Sequence, residues 1–245
     1  MKYLLKSLSL KLTKKLRQDS PLYRCFMNFF LKTSDAEEIF NEIFKRNAWN
    51  GDSSVSGPGS NALQTRTLRN KLPFLLNEYG IKTILDIPCG DFNWMKMVNL
   101  KDLEYIGADI VKDMIKKNDS LYRKKNISFK HLDIMNSSLP EVDLIICRDC
   151  LVHFSSSDIF STFNNICYSG SKYLLTTTFP SHIKNTDIIT GKWRTLNLER
   201  EPFNLPEPLK LIIENCTEGN GEYKDKSMGL WSIREICKII QLGRS

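Results

Sequence analysis

Seven short apolar runs alternate with amphipathic or polar stretches along this chain. They are Ile84 to Ile87, Tyr105 to Asp109, Ile127 to Leu132, Val142 to Cys147, Tyr173 to Phe179, Leu209 to Cys216 and Gly229 to Ile233. Each is too short for a buried helix and is bounded by turn residues, so each reads as a strand. The intervening stretches Lys112 to Lys117 and Asp158 to Ile166 read as helices, as does Leu63 to Tyr79, which Gly80 stops. A further helix is expected over Ala36 to Asn47, and another directly after the turn Pro88-Cys89-Gly90-Asp91. Strands alternating with helices predict an α/β fold, a Rossmann-like, doubly wound and mostly parallel sheet. The segment 181–208 has no strong periodicity and is expected to form part of a substrate cover.

The amino terminus follows a different pattern. Leu4, Leu8, Leu12 and Leu16 recur at helical spacing, with Lys2, Lys6, Lys11, Lys14, Lys15 and Arg17 mostly off that line. After Ser20-Pro21 comes a second apolar group of Phe26, Met27, Phe29, Phe30 and Leu31. Residues 1–34 therefore read as a basic amphipathic helical arm ahead of one domain over 35–245. Such an arm suits an anionic membrane surface or a partner protein, or packs on its own domain or a dimer mate.

Charge sharpens this division. The net charge of +7 lies entirely in residues 1–32, which hold eight Lys/Arg and one acid, while the remainder holds 27 of each sign. The body is not a basic protein, so nucleic acid is not expected as a partner. The 245 residues suffice for one α/β domain with a full core. Seven cysteines are scattered, several in apolar surroundings that suit small buried hydrophobes, and no disulfide framework is apparent. That pattern predicts a reducing cytoplasmic setting. Lys6 and Lys11 interrupt the leading leucines, so neither a signal-peptide core nor a membrane span is expected.

Ligands of open α/β sheets bind beyond the carboxyl ends of the strands. The first run ends in a tight turn with Gly90, where a small residue lets backbone approach a ligand. The second run ends about twenty residues on in Asp109, whose carboxylate can accept both hydroxyls of a ribose. Asp133 follows the third run, and Arg148, Asp149, Cys150 and His153 follow the fourth. The loop Trp49 to Ser60 is rich in Gly, Ser and Pro, so its amides can line a carboxylate.

The string Asp86-Ile87-Pro88-Cys89-Gly90-Asp91-Phe92-Asn93-Trp94-Met95 resembles motif I of the class I S-adenosylmethionine-dependent methyltransferases. Asp86 matches its acid and Gly90 its central glycine, while Pro88 and Phe92 replace the outer glycines. The departure resembles a small subgroup found near glycan-assembly enzymes. Trp49-x-Gly51-x-Ser53, Ser56-Gly57-Pro58-Gly59-Ser60 and Cys147-Arg148-Asp149-Cys150-Leu151-Val152-His153 fit the same subgroup. The resemblance implies S-adenosyl-L-methionine as cofactor and an antiparallel pair of strands closing one sheet edge. It places the cofactor against Asp86, Pro88, Cys89, Gly90, Asp109, Ile110, Asp133, Ile134 and Arg148, with Trp49, Ser56, Gly57 and Ser60 covering its methionine end.

Methyl transfer needs alignment of the acceptor and removal of its proton. His153 titrates in the useful range, and Asp149, four residues earlier, could orient it or be the base itself. Asp91 and Trp94 follow the first turn and could touch the acceptor, as could Trp193 and Arg194 beside Lys192 and Asn197 in the insert. The spacing Cys147-x-x-Cys150-x-x-His153 invites zinc, but Cys147 should point into the strand and no second ligand pair stands out, so no metal is assigned. Asp91 and Asp149 leave magnesium open. The subgroup resemblance implies O-methylation of a sugar hydroxyl of a glycan or saccharide precursor as the activity. The rivals are a small non-sugar or phosphoryl-type acceptor, and a cofactor-binding protein without catalysis. The arm would then meet a membrane surface or a glycosyltransferase; the oligomeric state is not legible.

Overall fold

The computed structural model describes residues 20–242. The leucine-striped basic helix expected over residues 1–19 lies outside them. The first described helix, α1 (Pro21–Thr33), starts at Ser20, whose side chain accepts the amide of Tyr23 at 3.2 Å. In α2 (Ala36–Arg46) the Asp35 carboxylate caps the amide of Glu38 at 2.8 Å, with acids in the first turn and bases in the last. Phe30 and Leu31 of α1 pack with Ile39 and Ile43 of α2. The carboxyl-terminal part of the arm therefore lies on the domain itself. Among the described residues no helix is long and apolar enough to cross a membrane.

Among the described residues seven strands form one sheet: β1 (Thr83–Asp86), β2 (Glu104–Asp109), β3 (Ile127–His131), β4 (Leu144–Cys147), β5 (Tyr173–Thr178), β6 (Lys210–Ile213) and β7 (Ser227–Ser232). Their order is β3-β2-β1-β4-β5-β7-β6. The first five are parallel, and β7 runs antiparallel between β5 and β6. The order reverses between β1 and β4, the switch point at which such sheets bind ligands.

Strand residues alternate between two apolar layers, because successive side chains point to opposite faces. Ile84, Leu144 and Ile146 meet α3 (Arg66–Glu78) through Leu68, Leu72, Leu75 and Leu76. On the other face Leu85, Ile145 and Cys147 meet α5 (Ser156–Tyr168) and α6 (Ile233–Leu242) through Ile159, Phe163, Ile166, Ile236 and Ile240. Burial on both faces is why these strands read as continuous apolar runs. The remaining long helix, α4 (Lys112–Tyr122), lies against β3 and β2.

Two expectations are corrected. No α-helix follows the first turn; Met95–Met97 forms a single 3-10 turn. Phe92 adopts φ 58° and turns inward, its ring 5.2–5.3 Å from those of Tyr105, Tyr122 and Phe129. That contact diverts the chain before a helix can start. Second, Cys167 of α5 and Cys237 of α6 are joined by a disulfide, with Cα atoms 5.7 Å apart. The pair was invisible in the sequence because 70 residues separate its members, and the absence of a framework no longer argues for a reducing compartment. Reduction with dithiothreitol is expected to remove about 2–4 kcal/mol of stability. The check is a lower Tm, which Cys167→Ala should reproduce and reductant should not lower further.

The segment 181–208 contains neither helix nor strand. It is nonetheless fixed: Leu196, Leu198, Phe203 and Leu205 are buried in the core, and the amide of Phe179 donates to the carbonyl of Leu196 at 2.8 Å. It forms a wall rather than a loose cover.

Candidate active site

A cavity of about 340 Å³ opens over the carboxyl ends of β1, β2 and β4. Its floor is the turn after β1. Gly90 has φ +56°, and a Cβ there would lie 2.2 Å from the Oγ of Ser56, so only glycine lets the turn and the covering loop close together. At the end of β2 the Asp109 carboxylate accepts the amide of Gly90 at 3.1 Å on one oxygen and that of Val111 at 2.9 Å on the other. Each oxygen keeps a further lone pair. Burial raises this carboxyl to about 6 against the opposing pull of those amides.

The loop Trp49 to Ser60 closes over this floor. Asp91 holds it there: one oxygen accepts the Ser54 hydroxyl at 2.8 Å and the other the Val55 amide at 3.1 Å. Asp91 also lines the cavity, so its carboxylate holds the covering loop in addition to any contact it makes with an acceptor. Asp133 also reaches the wall while accepting the Met135 amide and the Asn136 side chain at 2.9 and 2.7 Å. Trp49, Ser56, Gly57, Ser60, Pro88, Cys89, Ile110, Ile134, Arg148 and Trp94 line the same space.

Asp86 does not. It is buried beneath the turn, accepts the Tyr105 hydroxyl at 2.6 Å, and is raised to about 7 by burial. Its place is in the support of the turn, which corrects its assignment as a cofactor ligand. Arg194 is corrected likewise. It is buried, and its guanidinium donates to the carbonyls of Thr186, Leu151 and Phe154 at 2.9–3.1 Å. It staples the 181–208 wall to the segment after β4 and leaves Trp193 as the insert's cavity residue.

His153 ends a 3-10 turn, Leu151–His153, and lies on the cavity wall with its ring centroid 5.0 Å from that of Trp49. Its Nδ1 lies 2.9 Å from the carbonyl oxygen of Lys192. A carbonyl only accepts, so Nδ1 carries the hydrogen and Nε2 the lone pair. Burial lowers this imidazole to about 4 despite the carbonyl, which corrects the expectation that it titrates in the useful range near neutrality. His153 is therefore neutral near pH 7, the form that takes a proton.

Asp149 is a different case. It sits at φ 53°, with its amide donating to the Thr177 hydroxyl at 2.8 Å. Its Oδ2 is 2.6 Å from Lys226 Nζ and 3.1 Å from Arg148 Nη1. Burial opposes its charge, but the two cations outweigh it and hold the carboxyl well below the usual range. This corrects the reading of Asp149 as base: it is the counter-ion of two cations. Glu214 completes the cluster, 2.7 Å from Arg148 Nε and 3.5 Å from Lys226 Nζ. Residue pattern missed Glu214 and Lys226. The available signal was a glutamate on the inward side of an apolar run, with Ile212 and Glu214 both buried and Leu211 and Ile213 exposed. Phe40, Phe44, Glu218 and Tyr223 were also missed. Among the described residues no group of three or more His, Cys, Asp or Glu side chains is placed to hold a metal ion.

Residues 84–169 match a family model described as a methyltransferase domain. The N-methyltransferase NodS of Bradyrhizobium japonicum WM9 superposes with TM-score 0.50 at 13% identity, over 71% of this chain and 98% of that one. Magnesium protoporphyrin IX methyltransferase of Synechocystis PCC 6803 gives 0.45 at 15% identity, over 60% of this chain and 74% of that one. Human N-acetylserotonin methyltransferase gives 0.48 at 16% identity, over 76% and 60%. No curated protein sequence matches the chain. With its parallel core and antiparallel β7, the chain has the Rossmann-like fold of class I methyltransferases, and the segment that matches the methyltransferase-domain model spans β1 to α5.

Proposed function

We propose that the protein is an S-adenosylmethionine-dependent O-methyltransferase acting on a sugar hydroxyl of a glycan or saccharide precursor, with His153 as general base. The observation that carries the reading is a neutral imidazole, its Nδ1 tied to the Lys192 carbonyl, on the wall of the cavity that also holds Gly90 and Asp109.

The residues present fit the cofactor. Asp109 offers an accepting lone pair on each oxygen, matching the paired hydroxyls of a ribose. The turn at Gly90 has no side chain to exclude a close ligand. Bound S-adenosylmethionine supplies a methyl group activated by a sulfonium. The chain's part is to orient the acceptor hydroxyl and to hold its proton on Nε2 of His153. The aromatic rings of Trp49, Trp193 and Tyr223 on the wall suit the apolar face of a sugar. If residues 1–32 meet a membrane or a glycosyltransferase, they would bring this site to a lipid-linked or nascent acceptor.

Asp109→Ala should weaken cofactor binding by about 1.5–3 kcal/mol, the range for a charged hydrogen bond. In the unchanged protein, affinity should fall as pH drops through about 6, because protonation turns one accepting oxygen of Asp109 into a donor. Calorimetric titration across that range checks both, and unchanged affinity would refute the ribose assignment. Transfer of labelled methyl to a panel of oligosaccharides and nucleotide sugars tests the acceptor.

A further inference from the structure

The mouth of the cavity beside His153 has a distinct construction. The insert supplies Trp193, 43% exposed, directly after the carbonyl that fixes His153. Its ring packs edge-on against Tyr223 at 5.0 Å, and Phe179 lies behind both at 6.2–6.3 Å. Glu218 lines the same cavity from the loop between β6 and β7; its Oε2 has the Cys216 thiol 3.7 Å away. A carboxylate so placed has acceptor capacity for hydroxyl groups.

The charges on the wall decide what can enter. Among the described residues its lysine and arginine side chains are Arg148 and Lys226. Both are held by acids: Arg148 by Asp149 and Glu214, and Lys226 by the same two. Arg194, the other buried cation nearby, is bound to three carbonyls. Asp91 and Glu218 face the cavity as well, apart from Asp109 and Asp133, which are assigned to the cofactor. An anionic acceptor would meet carboxylates with no uncommitted cation to neutralise it, and desolvating that charge is costly.

We infer that Trp193, Tyr223 and Glu218 form the acceptor subsite, and that it takes an uncharged sugar ring, stacked on the aromatic pair with its hydroxyls on Glu218, and rejects phosphorylated or carboxylated sugars. This rests on the proposed methyltransferase reading and adds the class of acceptor and the residues that select it.

Saturation-transfer NMR on the full chain saturated with S-adenosylhomocysteine is the test. The probes are neutral oligosaccharides and their 6-phosphate and uronic acid counterparts. Neutral members should give transfer and anionic ones none. Trp193→Ala should weaken neutral binding about tenfold, the loss of one stacked aromatic contact, while calorimetric affinity for S-adenosylhomocysteine stays unchanged. Glu218→Gln keeps an accepting oxygen but removes a negative charge, so it should admit the 6-phosphate probes. Trp193 is partly exposed and Glu218 lies on a loop, so both variants should fold; unchanged Tm verifies this. Anionic probes binding as well as neutral ones, no transfer from any neutral probe, or neutral binding indifferent to Trp193→Ala would each overturn the inference. Failure of S-adenosylhomocysteine itself to bind would instead count against the methyltransferase reading.

Discussion

Replacing His153 by alanine is expected to cut methyl transfer by on the order of 10²–10⁴, the usual worth of a positioned general base. Cofactor affinity should be unchanged, because the ribose-binding candidate Asp109 is held by Gly90 and Val111 and not by the histidine. The unmodified enzyme should show an acid limb in kcat near pH 4 rather than near the ordinary imidazole value of about 6.5. The sign follows from burial, which disfavours the imidazolium: the accepting form persists until pH falls to about 4. The same shift makes the unfolded chain the better proton binder, so stability should decline as pH drops from about 6.5 towards 4. Stopped-time assays of labelled methyl transfer in both proteins check the rate. Full turnover by His153→Ala would remove the imidazole from the reaction.

Arg148→Met should destabilise the fold by about 3–5 kcal/mol, since it leaves buried carboxylates without their partner. Arg148 is 3% exposed and Glu214 1%, and its Nη2 also donates to the carbonyl of Gly59 at 2.9 Å. One side chain thus joins the end of β4, the end of β6 and the covering loop. Lys226 would remain beside Asp149 and Glu214, but one lysine cannot balance two acids. The loss should appear as a lower midpoint in urea with little change in slope. The double variant Arg148→Met, Glu214→Leu should recover much of it, because no orphaned charge remains at that contact. Equal stability of the single variant and the parent would show that the cluster contributes nothing.

The sequence by itself determined the sheet. Short apolar runs with helical stretches between them specify parallel strands covered on both faces, and that pattern is local and repeated. The same logic marked the strand ends, so it was legible that Gly90, Asp109 and His153 lie at one edge of the sheet, where they line a single cavity. The final two runs were legible as strands as well, although their place in the order, with β7 between β5 and β6, is a matter of pairing.

Only the tertiary structure decided which polar residues face the ligand and which serve the scaffold. Asp86 and Arg194 were chemically suitable, but a neighbouring strand gives one a tyrosine partner and the segment after β4 gives the other backbone carbonyls. Asp149 and His153 looked interchangeable as bases. Lys226, 77 residues from Asp149 in sequence, separates them: with Arg148 it pairs the carboxylate and lowers its affinity for a proton. The disulfide between Cys167 and Cys237 is the same kind of fact. Apolar periodicity records which side of its own element a residue occupies. Hydrogen bonds and ion pairs depend on what another part of the chain brings within about 3 Å, and no local pattern encodes that distance.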